Sequence, residues 1–141
     1  MKIFLDSSVL LSACHSDCGA SRAVFSLASA QGWKLLTSPW VVCEVTKNLA
    51  KFPPLATNQW LRLRQQLDLV DDVVCLDRVL VFPVSKDRPV LITALAYAEL
   101  LLTLDHEDFI GVLGASCYGL AILPPYDFLT YERKAGRLSD R

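Results

Sequence analysis

Two short apolar runs in this chain each end on an aspartate: Ile3-Phe4-Leu5 meets Asp6, and Leu100 to Leu104 meets Asp105. Runs this short cannot form a helix with one buried face, but they suit strands buried on both sides, as in a parallel sheet. A carboxylate at the end of such a strand carries a desolvation penalty that an arrangement without a use for it would avoid. Parallel sheets collect functional groups at the carboxyl ends of their strands, so one pattern constrains both the fold and the place of a site.

The rest of the chain alternates. After the strand Lys2 to Leu5, Ser7 and Ser8 are expected to cap a following turn. Ala23, Val24, Leu27 and Ala28 then recur at helical spacing until Gln31-Gly32, and Lys34 to Thr37 reads as a second strand. Ser38-Pro39 is a helix start, its hydroxyl placed to accept first-turn amides, which predicts a helix over Trp40 to Lys51. Pro53-Pro54 ends it, and a further helix is predicted from about Asn58 to Leu69, packed antiparallel on the first. Val73 to Leu76 and Val79 to Phe82 are β-branched runs too short for helices. Lys86-Asp87-Arg88-Pro89 opens a helix carrying Val90, Leu91, Ala94, Leu95 and Ala98, followed by strands at Leu100 to Leu104 and Leu120 to Leu123. The expected fold is a three-layer α/β/α sandwich with a mainly parallel central sheet, one domain over residues 1–130 and a charged tail over 131–141.

Composition narrows the function classes. Fourteen Lys and Arg against fifteen Asp and Glu exclude a broadly basic nucleic-acid surface, so phosphate affinity has to come from local cations, protein-borne or bound. Five cysteines without framework spacing point to a reducing, cytoplasmic setting, and Cys14, His15 and Cys18 lack the second ligand pair that a zinc site needs. The apolar run after Asp6 covers Val9 to Leu11 alone, far short of a signal segment or of the roughly 20 residues of a membrane span, so neither export nor insertion is expected.

Two more carboxylates belong to elements expected to flank the same sheet edge: Glu44 within Val41 to Val45, and Asp87 just before Pro89. Four carboxylates converging from four elements fit a hard cation such as Mg²⁺ or Mn²⁺, which prefers oxygen ligands and offsets their mutual repulsion. Simpler roles exist for two of them. Asp87 also suits the cap of the helix at Pro89, and Glu44 also suits pairing with Lys47 or Asn48 on its own helix, worth about 0.2 to 0.5 kcal/mol.

Asp6-Ser7-Ser8-Val9-Leu10 resembles the opening aspartate motif of PIN domains. Ser38-Pro39 through Glu44 is similar to their glutamate-bearing helix, and Lys86 to Leu91 with Thr103 to Phe109 resembles their third and fourth acidic motifs. The likeness runs from Lys2 to about Leu123; each motif is short, and their order and spacing carry the specificity. It implies Asp6, Glu44, Asp87 and Asp105 as catalytic and metal-binding positions, Asp108 as a further ligand, and Ser8 and Thr103 as hydroxyls near the metal. Glu99 departs from the pattern, standing where relatives usually carry a small or neutral residue.

The implied activity is Mg²⁺- or Mn²⁺-dependent hydrolysis of single-stranded RNA, leaving 5′-phosphate and 3′-OH ends, by the toxin of a toxin–antitoxin pair. Lys47, Arg62, Arg64 and Lys86 are the local cations for the RNA backbone, and Trp33, Trp40 and Trp60 suit either base stacking or the core. An antitoxin-like inhibitor and a homodimer are the expected protein partners. The alternative is a PIN-like module that binds RNA or protein without cleaving. A phosphoacceptor receiver fits less well, because a single acid ends the first strand and Glu44 lies on a helix.

Overall fold

The computed structural model describes residues 1–76, 88–105 and 116–139. It is an α/β three-layer sandwich built on a sheet of order β3-β2-β1-β4-β6-β5, where β1 is Lys2–Leu5, β2 Lys34–Thr37, β3 Leu67–Leu69, β4 Leu100–Leu102, β5 Ser116–Cys117 and β6 Leu120–Leu123. Every pairing is parallel except that of β5 with β6. Among the described residues six α-helices complete the layers: α1 Ser7–His15, α2 Ala20–Gln31, α3 Pro39–Leu49, α4 Pro54–Leu63, α5 Arg88–Tyr97 and α6 Pro125–Lys134. Among the described residues no helix is long and apolar enough to cross a membrane.

Burial follows position in the sheet. The central strands are inaccessible, Ile3, Phe4, Leu5, Leu101 and Leu102 all at 0% exposure, which is why they read as unbroken apolar runs. The edge strand β3 leaves Asp68 and Leu69 exposed. From β1 the chain steps outward to β2 and β3, then returns to the other side of β1 to lay down β4 and β6. The direction of winding therefore reverses between β1 and β4, and in sheets of this kind ligands bind at the carboxyl ends of the strands where it does so.

Several expectations change. Ser7 and Ser8 do not cap a turn; they are the first residues of α1, and Asp6 is its N-cap, accepting from the Ser7 amide at 2.8 Å. Val9, Leu10, Ala13 and Cys14 bury one face of this helix. The predicted Asn58 to Leu69 helix instead starts at Pro54, whose fixed φ suits the first turn, and ends at Leu63; a 3₁₀ turn over Arg64–Gln66 follows, and Leu67–Leu69 pairs in register with Leu35–Thr37. Pairing with an open sheet edge has overridden helical periodicity there. Helices α3 and α4 each pack mainly on α1, which lies between them in the place of the expected antiparallel pair. Strand β4 stops at Leu102, two residues early: the Thr103 amide makes the last ladder bond, to the Leu123 carbonyl, and beyond it the Leu104 and Asp105 amides bond the hydroxyls of Ser8 and Thr103. Val73 to Leu76 forms no regular element, and Val79 to Phe82 lies outside the described residues. Strand β5 returns to β6 through Tyr118 (φ 51°) and Gly119 (φ 85°), a two-residue left-handed turn of the hairpin kind.

The segment expected as a charged tail from residue 131 begins inside α6 and stays attached to the core. Gly136 (φ 73°) ends the helix with its amide on the Arg133 carbonyl and the Arg137 amide on the Glu132 carbonyl, the paired bonds of a Schellman turn. That reversal returns Leu138 to the core at 8% exposure and lays the Arg137 guanidinium across the buried Glu132 carboxylate in two 2.7 Å bonds. Gly136→Ala is expected to cost about 1 kcal/mol from backbone strain alone, since a Cβ there meets nothing within 4 Å. Arg137→Ala, which leaves a buried carboxylate unpaired, should lower the melting temperature where the exposed Lys134→Ala does not; equal melting of the two would refute the pairing.

Candidate metal centre

The Asp6 side chain is buried at the carboxyl end of β1, where the winding reverses toward β4. Its amide donates to the Leu102 carbonyl at 3.1 Å, and its own carbonyl accepts the first helical bonds of α1 from Val9 and Leu10. The backbone is thus clamped between a strand and a helix, and the carboxylate has one place to go. Oδ1 accepts from the Ser7 amide; Oδ2 accepts from Thr103 Oγ1 at 2.8 Å and from Ser8 Oγ at 3.3 Å. Those hydroxyls are themselves held, Thr103 Oγ1 by the Asp105 amide at 3.1 Å and Ser8 Oγ by the Leu104 amide at 3.0 Å. Ser8 and Thr103 therefore tie the end of β1 to the loop after β4, and place the Asp105 backbone two hydrogen bonds from the Asp6 carboxylate.

Glu44 reaches the same place from α3. Ser7 Oγ donates to Glu44 Oε2 at 2.7 Å, and the indole nitrogen of Trp40 donates to Oε1 at 2.9 Å. The alternative pairing with Asn48 takes another form: that amide bonds the Glu44 backbone carbonyl, leaving the carboxylate to the site. At the start of α3 the expected Ser38 cap is absent. The Trp40 amide is taken by the Asp72 carboxylate at 3.0 Å, because a full negative charge outcompetes a neutral hydroxyl at the positive end of a helix. The sequence offers Trp40 for base stacking or the core and Ser7 for a cap, without the bonds that either makes to Glu44, and it gives no role to Asp72. The four-residue spacing of Trp40 and Glu44 was the available signal for one of them, whereas Asp72 approaches from the far side of β3.

Electrostatics set this pair apart. Burial pushes the Asp6 carboxyl from its ordinary 3.8 up to about 6, and the charge of Glu44 adds to the rise; hydrogen bonds from Thr103, the Ser7 amide and Ser8 pull partly back. Among the described residues neither Asp6 nor Glu44 has a lysine or arginine at ion-pair distance. At the end of β2, Thr37 Oγ1 and Ser38 Oγ are buried without a hydrogen-bond partner among the described residues. The register Phe4 to Leu36 carries on to set these two residues beside Leu5 and Asp6. Two neighbouring carboxylates without a counterion among the described residues offer oxygen ligands of the kind that Mg²⁺ or Mn²⁺ prefers.

Not all of the expected ligand set is in view. Asp87, Asp108, Lys86 and His106 lie outside the described residues, and among the described ones no three acidic, histidine or cysteine side chains gather closely enough to hold a metal. Of the four expected carboxylates, Asp87 alone is outside the described residues; Asp6 and Glu44 are joined through Ser7, and Asp105 is tied to the site by its backbone amide on Thr103, its side chain completing no three-residue cluster with them. Lys47 lines the groove beside Glu44, while no hydrogen bond or ion pair joins the exposed Arg62 and Arg64 to either carboxylate. A larger groove of about 570 Å³, including Asp17, Arg22, Gln31 and Arg133, lies elsewhere; its Arg22 is committed to the Ala13 carbonyl and Gln59, so it offers less chemistry. No protein-family model matches the chain, and no curated protein does.

The raised Asp6 pKa has a definite consequence for stability. The folded carboxyl keeps its proton to higher pH than the unfolded one, so its contribution is fully present below about pH 3.8 and is lost as pH rises through about 6. At pH 7 in EDTA, Asp6→Asn should therefore stabilise the fold, by up to roughly 2 to 3 kcal/mol, and flatten the fall in stability between pH 4 and 7. Denaturant melts of wild type and variant across that range check both; a destabilised variant with an unchanged pH profile would contradict the buried-charge assignment.

Proposed function

We propose that this chain is a Mg²⁺- or Mn²⁺-dependent endoribonuclease of the PIN kind, acting on single-stranded RNA, with Asp6, Glu44, Asp87 and Asp105 as its metal-binding and catalytic carboxylates. The observation that carries the reading is the Asp6–Ser7–Glu44 link. It brings a buried acid and a second acid from a separate element together where the winding reverses, with no lysine or arginine at ion-pair distance from either among the described residues. A structural role would be better served by one acid and one base.

Each residue has a defined task. Thr103 and Ser8 orient Asp6 Oδ2 and favour its ionised form, and the Ser7 amide fixes Oδ1. Ser7 Oγ and Trp40 together hold both oxygens of Glu44. The divalent cation, when bound, supplies Lewis acidity that lowers the pKa of water and offsets charge on the phosphoryl oxygens. Because water is the nucleophile, the ribose 2′-OH takes no part, and neither His15 nor His106 is needed as an acid–base pair. A toxin's role in the cytoplasm, an antitoxin-like inhibitor and a second copy of the chain belong to the same proposal.

The test is cleavage of a mixed pool of structured and unstructured RNAs in Mg²⁺, Mn²⁺ or EDTA. Wild type is expected to cut with metal, and Asp6→Asn and Asp87→Asn to lose about a hundredfold or more. Cleavage that survives EDTA, or variants as active as wild type, would defeat the assignment. A binding readout stands apart from activity: Mn²⁺ at a hundred times its Kd should stabilise wild type by about 2.7 kcal/mol, and Asp6→Asn combined with Asp105→Asn should abolish the effect. An inert wild type whose melting ignores Mn²⁺ would favour the non-cleaving module instead.

A further inference from the structure

Of the three tryptophans, Trp33 and Trp60 are buried at 8% and 4% exposure, Trp33 against Phe128 at 4.9 Å, whereas Trp40 is 45% exposed. An exposed indole ordinarily samples several rotamers, and ordering it costs entropy. This one is held at two points. Its backbone amide is bonded by Asp72, and its ring nitrogen donates to Glu44 Oε1, while Ser7 holds the other oxygen of that carboxylate. The edge of the ring is thus tied to the proposed catalytic centre. Trp40, Glu44 and Lys47 follow at helical spacings of four and three, so they share one face of α3, and together with Pro39, Cys43 and Asp72 they line a groove of about 340 Å³.

Resting on the nuclease reading above, we propose that this face of α3 is a nucleobase subsite, in which a base of the single-stranded substrate stacks on Trp40 and a neighbouring backbone phosphate meets Lys47. The charges around the ring favour a base over an apolar peptide: Glu44, Lys47 and Asp72 border the groove, and a base has a π face with a polar rim. Asp72 repels phosphate at the Trp40 end, which leaves Lys47, one turn beyond Glu44, to receive it. A chain of net charge −1 gains little from counterion release, so a preordered stacking surface supplies affinity that its overall charge does not.

The experiment measures binding of a fluorescein-labelled hexauridylate by anisotropy in EDTA and in Mg²⁺, with Trp40→Phe, Trp40→Ala and Lys47→Ala alongside wild type and circular dichroism confirming folding. Trp40→Ala should weaken binding about five- to a hundredfold in both conditions, and Trp40→Phe, which keeps a ring face but loses the bond to Glu44, should stay within about threefold. Lys47→Ala should reduce the salt dependence of binding by about 0.7 in logarithmic slope. Binding of Trp40→Ala equal to wild type, or a loss in Trp40→Phe as large as in Trp40→Ala, overturns the subsite; the latter would mean that the indole serves only to anchor Glu44. A wild type that cleaves RNA while Trp40→Ala binds normally overturns the subsite and leaves the nuclease reading standing. A wild type that binds through Trp40 but cleaves nothing supports the subsite and overturns hydrolysis, and one that neither binds nor cleaves overturns both.

Discussion

The clamp on Asp6 is the interaction from which the rest of this edge is organised. One residue closes the β1–β4 pairing through its amide, starts α1 through its carbonyl, and joins β1 to the loop after β4 through its carboxylate and two hydroxyls. Because β1 and β4 are inaccessible on both faces, the chain cannot shift register to relieve the charge without exposing apolar side chains or breaking the ladder. The core holds the carboxylate where solvation is poor, and the position of Asp6 is set by packing forces larger than its own electrostatic cost.

That cost is concentrated. Charge from Glu44 faces a buried acid, and at the end of β2 two buried hydroxyls have no hydrogen-bond partner among the described residues. Elsewhere the protein pairs its buried charge: Glu132, also buried, is met by both arms of Arg137. The contrast is between a carboxylate neutralised under the C-terminal turn and a pair that, among the described residues, has no lysine or arginine to neutralise it. Ser7 also couples the two halves of the site, since its amide bonds Asp6 and its hydroxyl bonds Glu44, so motion of α1 moves both carboxylates together.

Legibility in the sequence depended on whether a residue's role is local. Strands at Lys2–Leu5, Lys34–Thr37 and Leu120–Leu123, and the helix ending at Gln31, were readable because composition and length sufficed. Asp6 was readable because it directly follows an apolar run, whereas Thr103 fell within the expected strand Leu100 to Leu104 and was marked by the resemblance alone. The span Leu67–Leu69 was not, since its neighbours Leu61 and Leu63 continue a helical pattern and only the open edge of β2 makes it a strand. The first helix was obscured because Ser7 and Ser8 suited a cap and Cys14-His15-Ser16-Asp17-Cys18 drew attention to ligands rather than to the buried face of Val9, Leu10, Ala13 and Cys14. Asp72 displaced Ser38 as the cap of α3 across 32 residues, a competition that no local window contains.

By itself the sequence determined the α/β class and the strand-end placement of Asp6, because hydrophobic period and run length act over a few residues. Tertiary structure alone decided that Ser7 would bridge Asp6 to Glu44, that Trp40 would be pinned with its ring exposed, and that the segment after Lys134 would return to the core. Those outcomes depend on which elements become neighbours when the winding reverses between β1 and β4. Hydrogen bonds and charge couplings act across a few ångströms of space and are indifferent to separation along the chain.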